Sequence, residues 1–254
     1  MRQPLRQNNT QVRTCSVASV PAPLGGWNSR SGLAEMKPNQ AVALENWFPS
    51  TAYCEGRGGT SAHATAMTGN GKTLAVYTPM TGVSKMFCFT ASGMYDVSSA
   101  GAVGASKATS TNGKWQYVNF GDGTNNYLIC VNGTDKPVYH NGTTFVMVDG
   151  TTSPALTGIT TTELTHASVF KGRLIFIQKA TPAFWYLAAG AAGGALTEFD
   201  LSTEAVKGGY IVAAASWTLD AGTGLDDYAV FVTSEGEAIV YQGTNPSSAA
   251  SWAK

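Results

Sequence analysis

The segment Thr68-Gly69-Asn70-Gly71-Lys72-Thr73 comes nearest to a phosphate-binding loop. A P-loop cradles phosphates with the backbone N–H groups of Gly-x-x-x-x-Gly-Lys-[Ser/Thr], placed after a strand and opening a helix. Here Ala66 stands at the first glycine position, and the apolar run Leu74-Ala75-Val76-Tyr77 that follows reads as a strand. A hairpin loop is expected instead. His63, His140 and His166 are far apart, with no His-x-x-x-His pair, and no Ser or Cys sits in a nucleophile elbow. The stretch Asp220 to Asp227, with Gly222 and Gly224, offers oxygen ligands for calcium but lacks the alternating Asp/Asn ladder of a calcium loop, so a solvated inter-strand loop is expected. Glu235 and Glu237 flank Gly236 in a turn and point to water on this reading. Cys15, Cys54, Cys88 and Cys130 form no Cys-x-x-Cys pair, which argues against a metal knuckle. The residue types that do chemistry are therefore present without the spacing that chemistry requires. No catalytic residue, cofactor site or metal site is assigned, and the chain is expected not to be an enzyme.

The elements that carry these residues repeat. Four stretches share one order: a short apolar strand, a more regular strand, a small turn, and a third strand ending on an aromatic. The first runs Leu74–Tyr77, Lys85–Phe89, Ser92-Gly93 and Met94–Val97. The second has Trp115–Phe120, Tyr127–Val131, Asn132-Gly133 and Pro137–Tyr139. The third has His166–Phe170, Arg173–Ile177, a turn near Lys179–Pro182 and Phe184–Leu187. The fourth has Tyr210–Trp217, Tyr228–Thr233, Ser234-Glu235-Gly236 and Ala238–Tyr241. A period of roughly 40–50 residues is that of four-stranded propeller blades. Phe145–Val148 and Leu196–Leu201 read as fourth strands, with Ala188–Ala195 as a loop. Asn132-Gly133 and Asn141-Gly142 suggest type I′ hairpin turns, which need positive φ at both central residues. Ser110-Thr111-Asn112-Gly113-Lys114-Trp115 echoes the Asp-box turn of sialidase propellers, without its Asp or its spacing. The expected fold is all-β: four-stranded blades of a β-propeller type, with an incomplete fourth copy, behind an extended N-terminal arm. The arm covers residues 1–62 and the repeats 63–254. The ring is completed by the N-terminal segment, by further chain or by a partner.

The arm opens polar, from Met1 to about Ser19, with no secretory h-region. A short helix is expected around Gln40 to Trp47, between Pro38-Asn39 and Phe48-Pro49. Glu55-Gly56-Arg57-Gly58-Gly59 is expected to be a loop whose glycines permit close backbone approach. Trp27, Trp47 and Phe48 lie outside the repeats and must bury against something, either the chain's own blades or a neighbouring subunit. Trp27, Arg30, Trp47, Phe48 and Arg57 are the subunit-interface candidates, because Trp and Arg anchor interfaces. Charged residues make up 13% of the chain, and 16 Lys+Arg balance 16 Asp+Glu. Such a surface carries no field for wrapping nucleic acid or holding an anionic membrane. No apolar run is long enough to span a bilayer, so no membrane anchor is expected.

Pro21-Ala22-Pro23-Leu24-Gly25-Gly26-Trp27-Asn28-Ser29-Arg30, with Leu44-Glu45-Asn46-Trp47-Phe48-Pro49 and Arg57-Gly58-Gly59, resembles the start of a family of tailed-bacteriophage virion structural proteins. Some of these resemble tail nozzle or hub components. The resemblance continues through Phe120-Gly121-Asp122-Gly123, Val131-Asn132-Gly133, Phe170–Leu174 and Tyr241–Pro246. It implies a place in the phage tail, assembled in the host cytoplasm, in a ring of identical subunits (a hexamer as first expectation) beside tail or adaptor proteins. DNA would pass through without specific binding, which suits the neutral composition. The alternative from another class is a receptor- or glycan-binding propeller on the virion, with Trp217 and the Asp220 loop as candidates. A propeller hydrolase is a third reading, disfavoured by the sparse, unpaired carboxylates and histidines.

Overall fold

The computed structural model describes residues 18–220 and 225–254. It divides into two compact units, Met1–Ser61 and Ala62–Lys254. Among the described residues there is no α-helix, and the one helical turn is the 3₁₀ segment Thr161–Glu163. The fold is all-β.

The larger unit contains four successive antiparallel sheets, one for each sequence copy; contrary to expectation the fourth copy has its fourth strand, Trp252–Ala253, and it is the first that has only three. Sheet I comprises Thr73–Tyr77, Lys85–Thr90 and Gly93–Asp96. Sheet II comprises Gln116–Gly121, Asn126–Val131, Val138–His140 and Phe145–Met147. Sheet III comprises Leu164–Phe170, Arg173–Gln178, Ala183–Tyr186 and Thr197–Asp200. Sheet IV comprises Ile211–Asp220, Leu225–Thr233, Ala238–Gly243 and Trp252–Ala253. In each sheet, strands adjacent in the chain order given are hydrogen-bonded neighbours, so all four are meanders. Short parallel pairings tie the segment before sheet I, Ala64–Thr65, to Gly101–Ala102 after it, and the segment before sheet III, Leu156–Thr157, to Gly194–Ala195 in the connection between its third and fourth strands.

The burial pattern follows from how the sheets stack. Ala75, Tyr77, Phe87 and Phe89 of sheet I share a core with Leu128, Cys130 and Val138 of sheet II. Tyr127, Ile129, Val131 and Tyr139, on the other face of sheet II, share one with Leu164, Ala167, Leu174 and Phe176 of sheet III. Phe170, Ile175, Ile177 and Phe184, on the far face of sheet III, pack against Ala214, Ala229, Phe231 and Ile239 of sheet IV. Sheets II and III are thus covered on both sides. This explains the unbroken apolar runs Tyr127-Leu128-Ile129-Cys130-Val131 and Leu174-Ile175-Phe176-Ile177, because neither face needs polar residues. Sheet IV alternates instead: Ala238–Gly243 has every second residue from Ile239 buried and the others open. Phe184 anchors the last core, stacked on Phe231 at 4.4 Å and on Phe199 at 5.1 Å.

Hydrogen bonds also join neighbouring sheets at their first strands. Asn119 donates through Nδ2 to the Val76 carbonyl (2.8 Å) and accepts from the Thr78 N–H (3.1 Å), linking sheets I and II. His166 Nε2 donates to the Ala214 carbonyl at 2.7 Å, linking III and IV.

Several expectations need correction. The helix at Gln40–Trp47 does not form. The Ala41 carbonyl accepts from the Asn28 N–H and the Val42 carbonyl from Trp27 Nε1, so both acceptors of a first helical turn are engaged elsewhere. Ala41 bridges Trp27, and Trp47–Pro49 is a strand paired with Cys54–Gly56. Gly56, Gly58 and Gly59 face open space, with no close backbone approach. Asn132-Gly133 and Asn141-Gly142 are not type I′ turns. Only the glycine of each pair takes positive φ, +69° and +93°. Asn132 Oδ1 instead accepts from the Thr134 and Asp135 N–H groups, and Asn141 Oδ1 from those of Thr143 and Thr144. These side chains mimic a backbone turn, which frees Asn from the left-handed region. The segment from Thr68 connects Ala64–Thr65, paired with Gly101–Ala102, to sheet I, so it is a crossing link and not a hairpin loop. Asp220 and Asp227 are strand residues of one long hairpin, paired with Leu225 and Thr218; residues 221–224 of the expected acidic loop lie outside the described residues. Cys15 lies outside them as well.

Candidate functional site

The chemistry-bearing residues are occupied structurally. His140 is buried against Tyr77, Phe87 and Phe145, the last stacked at 4.1 Å. Its Nδ1 donates to the Thr144 carbonyl at 3.0 Å, and its Nε2 has no partner. Burial pushes the imidazole below its ordinary value, and the nearby Lys85 ammonium acts in the same direction. Burial also lowers His166. His63 Nε2 donates to the Val97 carbonyl at 3.0 Å. The three histidines sit in different places, and none has a carboxylate or nucleophile as hydrogen-bond partner. Asp227 accepts from Thr218 Oγ1 at 2.6 Å. Among the described residues no three His, Cys, Asp or Glu side chains cluster as metal ligands.

The thiols follow the same logic. Cys88 and Cys130 are buried and free. Pairing with Leu74 and Tyr95 puts Cys88 on the face of sheet I away from sheet II, while Cys130 faces sheet I. Burial raises both thiol pKa values, so neither is poised as a nucleophile.

Exposed apolar surface is the feature that the cores do not absorb. In the smaller unit, Trp27 is 66% exposed, Trp47 53% and Phe48 55%. Trp47 and Phe48 pair with Gly56 and Glu55, and the Arg57 N–H donates to the Asn46 carbonyl at 2.7 Å. The structure therefore brings Trp47, Phe48 and Arg57 to one two-stranded ribbon. Trp27 and Arg30 belong to a separate turn in the same unit. There Trp27 Nε1 donates to the Val42 carbonyl at 3.0 Å, and Asn28 Oδ1 accepts from the Arg30 N–H at 2.9 Å. An apolar groove of about 320 Å³ runs between Pro23, Ala41, Leu44, Trp47 and Cys54.

In the larger unit, the outermost faces of the stack are apolar. Register places Trp217 opposite Tyr228, Ala215 opposite Val230 and Ala213 opposite Val232, with Val240 beside Val230. This is the face of sheet IV away from sheet III. Trp217 is 59% exposed, and Val232 and Val240 are also open. On sheet I, the face away from sheet II carries Leu74, Val76, Met86 and Cys88. Leu74 is 57% exposed and, with Met67, Met86 and Val97, lines an apolar cleft of about 230 Å³. No buried cluster among the described residues joins sheet I to sheet IV. Sequence reasoning singled out Trp217 alone of these residues. The others were hidden in the alternation of short strands, which marks a half-buried sheet without saying what covers the other half.

Comparison with protein-family models, curated proteins and solved structures finds no match to this chain.

Proposed function

We propose that this chain is a structural, non-enzymatic component of a tailed-phage virion, a tail nozzle, hub or head-to-tail ring protein lining the DNA path. Its four sheets act as consecutive blades of a β-propeller-like array that neighbouring copies complete. The observation that carries this reading is the exposed apolar surface on sheets I and IV, at the two ends of a serial stack: Trp217, Val232 and Val240 on sheet IV, and Leu74 and Val76 beside the small buried cluster of Cys88, Tyr95 and Val97 on sheet I. Within that stack, the same kinds of face are buried wherever another sheet follows. A face of one kind meeting a face of the other kind on the next copy is a heterologous contact, and such contacts close into rings when the rotation permits. Trp27, Arg30, Trp47, Phe48 and Arg57 supply a second set of anchors on the smaller unit. The resemblance of the Pro21–Arg30 segment to phage virion proteins gives the assembly its setting. A net charge of zero suits a channel that must release DNA, because each neutralised phosphate adds salt-dependent affinity.

The test is the mass and shape of the purified full chain. Native mass spectrometry and negative-stain microscopy should show a ring-shaped homo-oligomer, with six copies as the first expectation. A chain that stays monomeric at about 10 μM, where contacts of ordinary interface strength are occupied, and that binds no phage tail component would overturn the proposal.

A further inference from the structure

A cleft at one end of sheet II has a different character from the apolar faces. It encloses about 230 Å³ and is lined by Tyr127, Tyr139, Asn125, Asn141, Thr144 and Ser153, with Val146 adding an apolar patch. Among the described residues, no Lys, Arg, Asp or Glu lines it. Its position follows from the meander. Tyr127 is the second residue of the second strand, Asn141 follows the third, and Val146 lies in the fourth, so three neighbouring strands contribute to one place.

The polar groups there are unevenly engaged. Asn141 Oδ1 is saturated by the Thr143 and Thr144 N–H groups and by Thr144 Oγ1, which leaves the Asn141 amide N–H groups directed to no protein acceptor among the described residues. Ser153 Oγ likewise makes no hydrogen bond within the described residues, and Ser153 is exposed. Tyr139 is 1% exposed, yet its hydroxyl has no partner. A buried hydroxyl left unpaired is destabilising, and native proteins keep such groups where water, an ion or a ligand completes them. Tyr127 lies near Asp122, and burial, with the Asp122 charge second, raises its pKa.

From this lining we infer that the cleft binds a neutral, hydroxylated ligand: a hexose-type residue of a glycan. Amides and hydroxyls match the alternating donors and acceptors of a sugar, and the two tyrosines, buried in the core, present only their edges and the Tyr139 hydroxyl. The Asp122 carboxylate behind Tyr127 disfavours an anion. The volume falls below the roughly 300–1,000 Å³ of pockets for drug-sized ligands, which suits one sugar residue at a time. The inference is independent of ring assembly. It also puts glycan recognition away from Trp217 and the Asp220 segment, where the sequence alone suggested it.

The experiment titrates the full chain with glucose, galactose, N-acetylglucosamine and its short oligomers, and with glucuronic acid as the anionic contrast, by calorimetry and saturation-transfer NMR. Saturable binding of at least one neutral sugar is expected, with glucuronic acid weaker. Tyr139→Phe, which keeps the ring, should weaken that binding about three- to tenfold, the effect of losing one hydrogen bond, without lowering the melting temperature. Ser153→Trp, an exposed site whose new side chain fills the cleft, should abolish it and serves as the second variant if the first misfolds. The inference is overturned if no neutral sugar binds saturably up to about 50 mM, well beyond the millimolar range of a ligand making a few contacts. Tighter binding of glucuronic acid, or binding unchanged in both variants, also overturns it.

Discussion

His140 shows how a residue with chemical potential is turned to structural use. It fills an aromatic box between sheets I and II, facing Tyr77, Phe87 and Phe145, with Lys85 and Asp96 as the charged groups that act on it. Burial lowers its pKa, so the folded chain holds it neutral where the unfolded chain, near the ordinary value of 6.5, begins to bind a proton. Below that pH the unfolded state takes up more protons than the folded state, and stability falls as pH falls. His166, lowered for the same reason, acts in the same direction. Denaturant unfolding between pH 8 and pH 5 should therefore show declining stability below about pH 6.5. His140→Phe should flatten the decline without removing it, because His166 remains. Identical slopes in the two proteins would show that His140 is not the group responsible.

Turn chemistry decides where each strand stops. Asn and Asp side chains close many of the connections by accepting from N–H groups two or three residues on, as at Asn28, Asp122, Asn132, Asn141, Asp149 and Asp200. The turn after Asn126–Val131 adds a tie between segments. Asp135 Oδ2 accepts from the Thr111 N–H (2.9 Å), Thr111 Oγ1 (3.1 Å) and Asn132 Nδ2 (2.7 Å). It fastens this turn to the segment that enters sheet II. Asp135→Ala should lower stability by about 1 kcal/mol, less than three charge-assisted bonds imply, because the site is partly exposed. Asp135→Asn should recover part of the loss. A shifted urea midpoint at unchanged slope is the signature to look for. The ion pairs Lys136–Asp149 and Lys254–Glu204, both at the surface, should matter less. Packing dominates by comparison: Phe184→Ala, at the centre of the core between sheets III and IV, should cost about 3–5 kcal/mol.

At the scale of the larger unit, the decisive asymmetry is between covered and uncovered sheets. Sheets II and III bury both faces, whereas IV leaves Trp217, Val232 and Val240 open and I leaves Leu74 and Val76 open. Large apolar side chains left exposed side by side on a sheet face are typical of interaction surfaces. Val230→Lys and Leu74→Lys should disrupt the proposed oligomer while changing the stability of the isolated chain by less than about 1 kcal/mol, since Leu74 is mostly exposed and Val230 lies on the outer face of sheet IV. Sedimentation velocity reads the first effect and thermal unfolding the second. An oligomer that survives both substitutions would place the interface elsewhere, with Trp27, Trp47 and Phe48 the next positions to vary.

Period-two alternation, Gly/Asn/Asp turn signals and the fourfold recurrence of one strand order were legible in the amino-acid chain. They determine an all-β meander and the strand limits to within a few residues, because side-chain alternation and turn chemistry are local properties. The Gln40–Trp47 helix failed because its carbonyls find partners at Trp27 and Asn28, a pairing across more than ten residues that no local pattern encodes. The turns at Asn132 and Asn141 were placed correctly but given the wrong geometry, since an Asn-Gly pair fits either a positive-φ turn or a side-chain-closed one. Only the tertiary structure decided which sheets are covered twice. The same is true of the cleft beside Tyr139, which exists because three strands converge, although their residues lie up to about thirty positions apart in the chain.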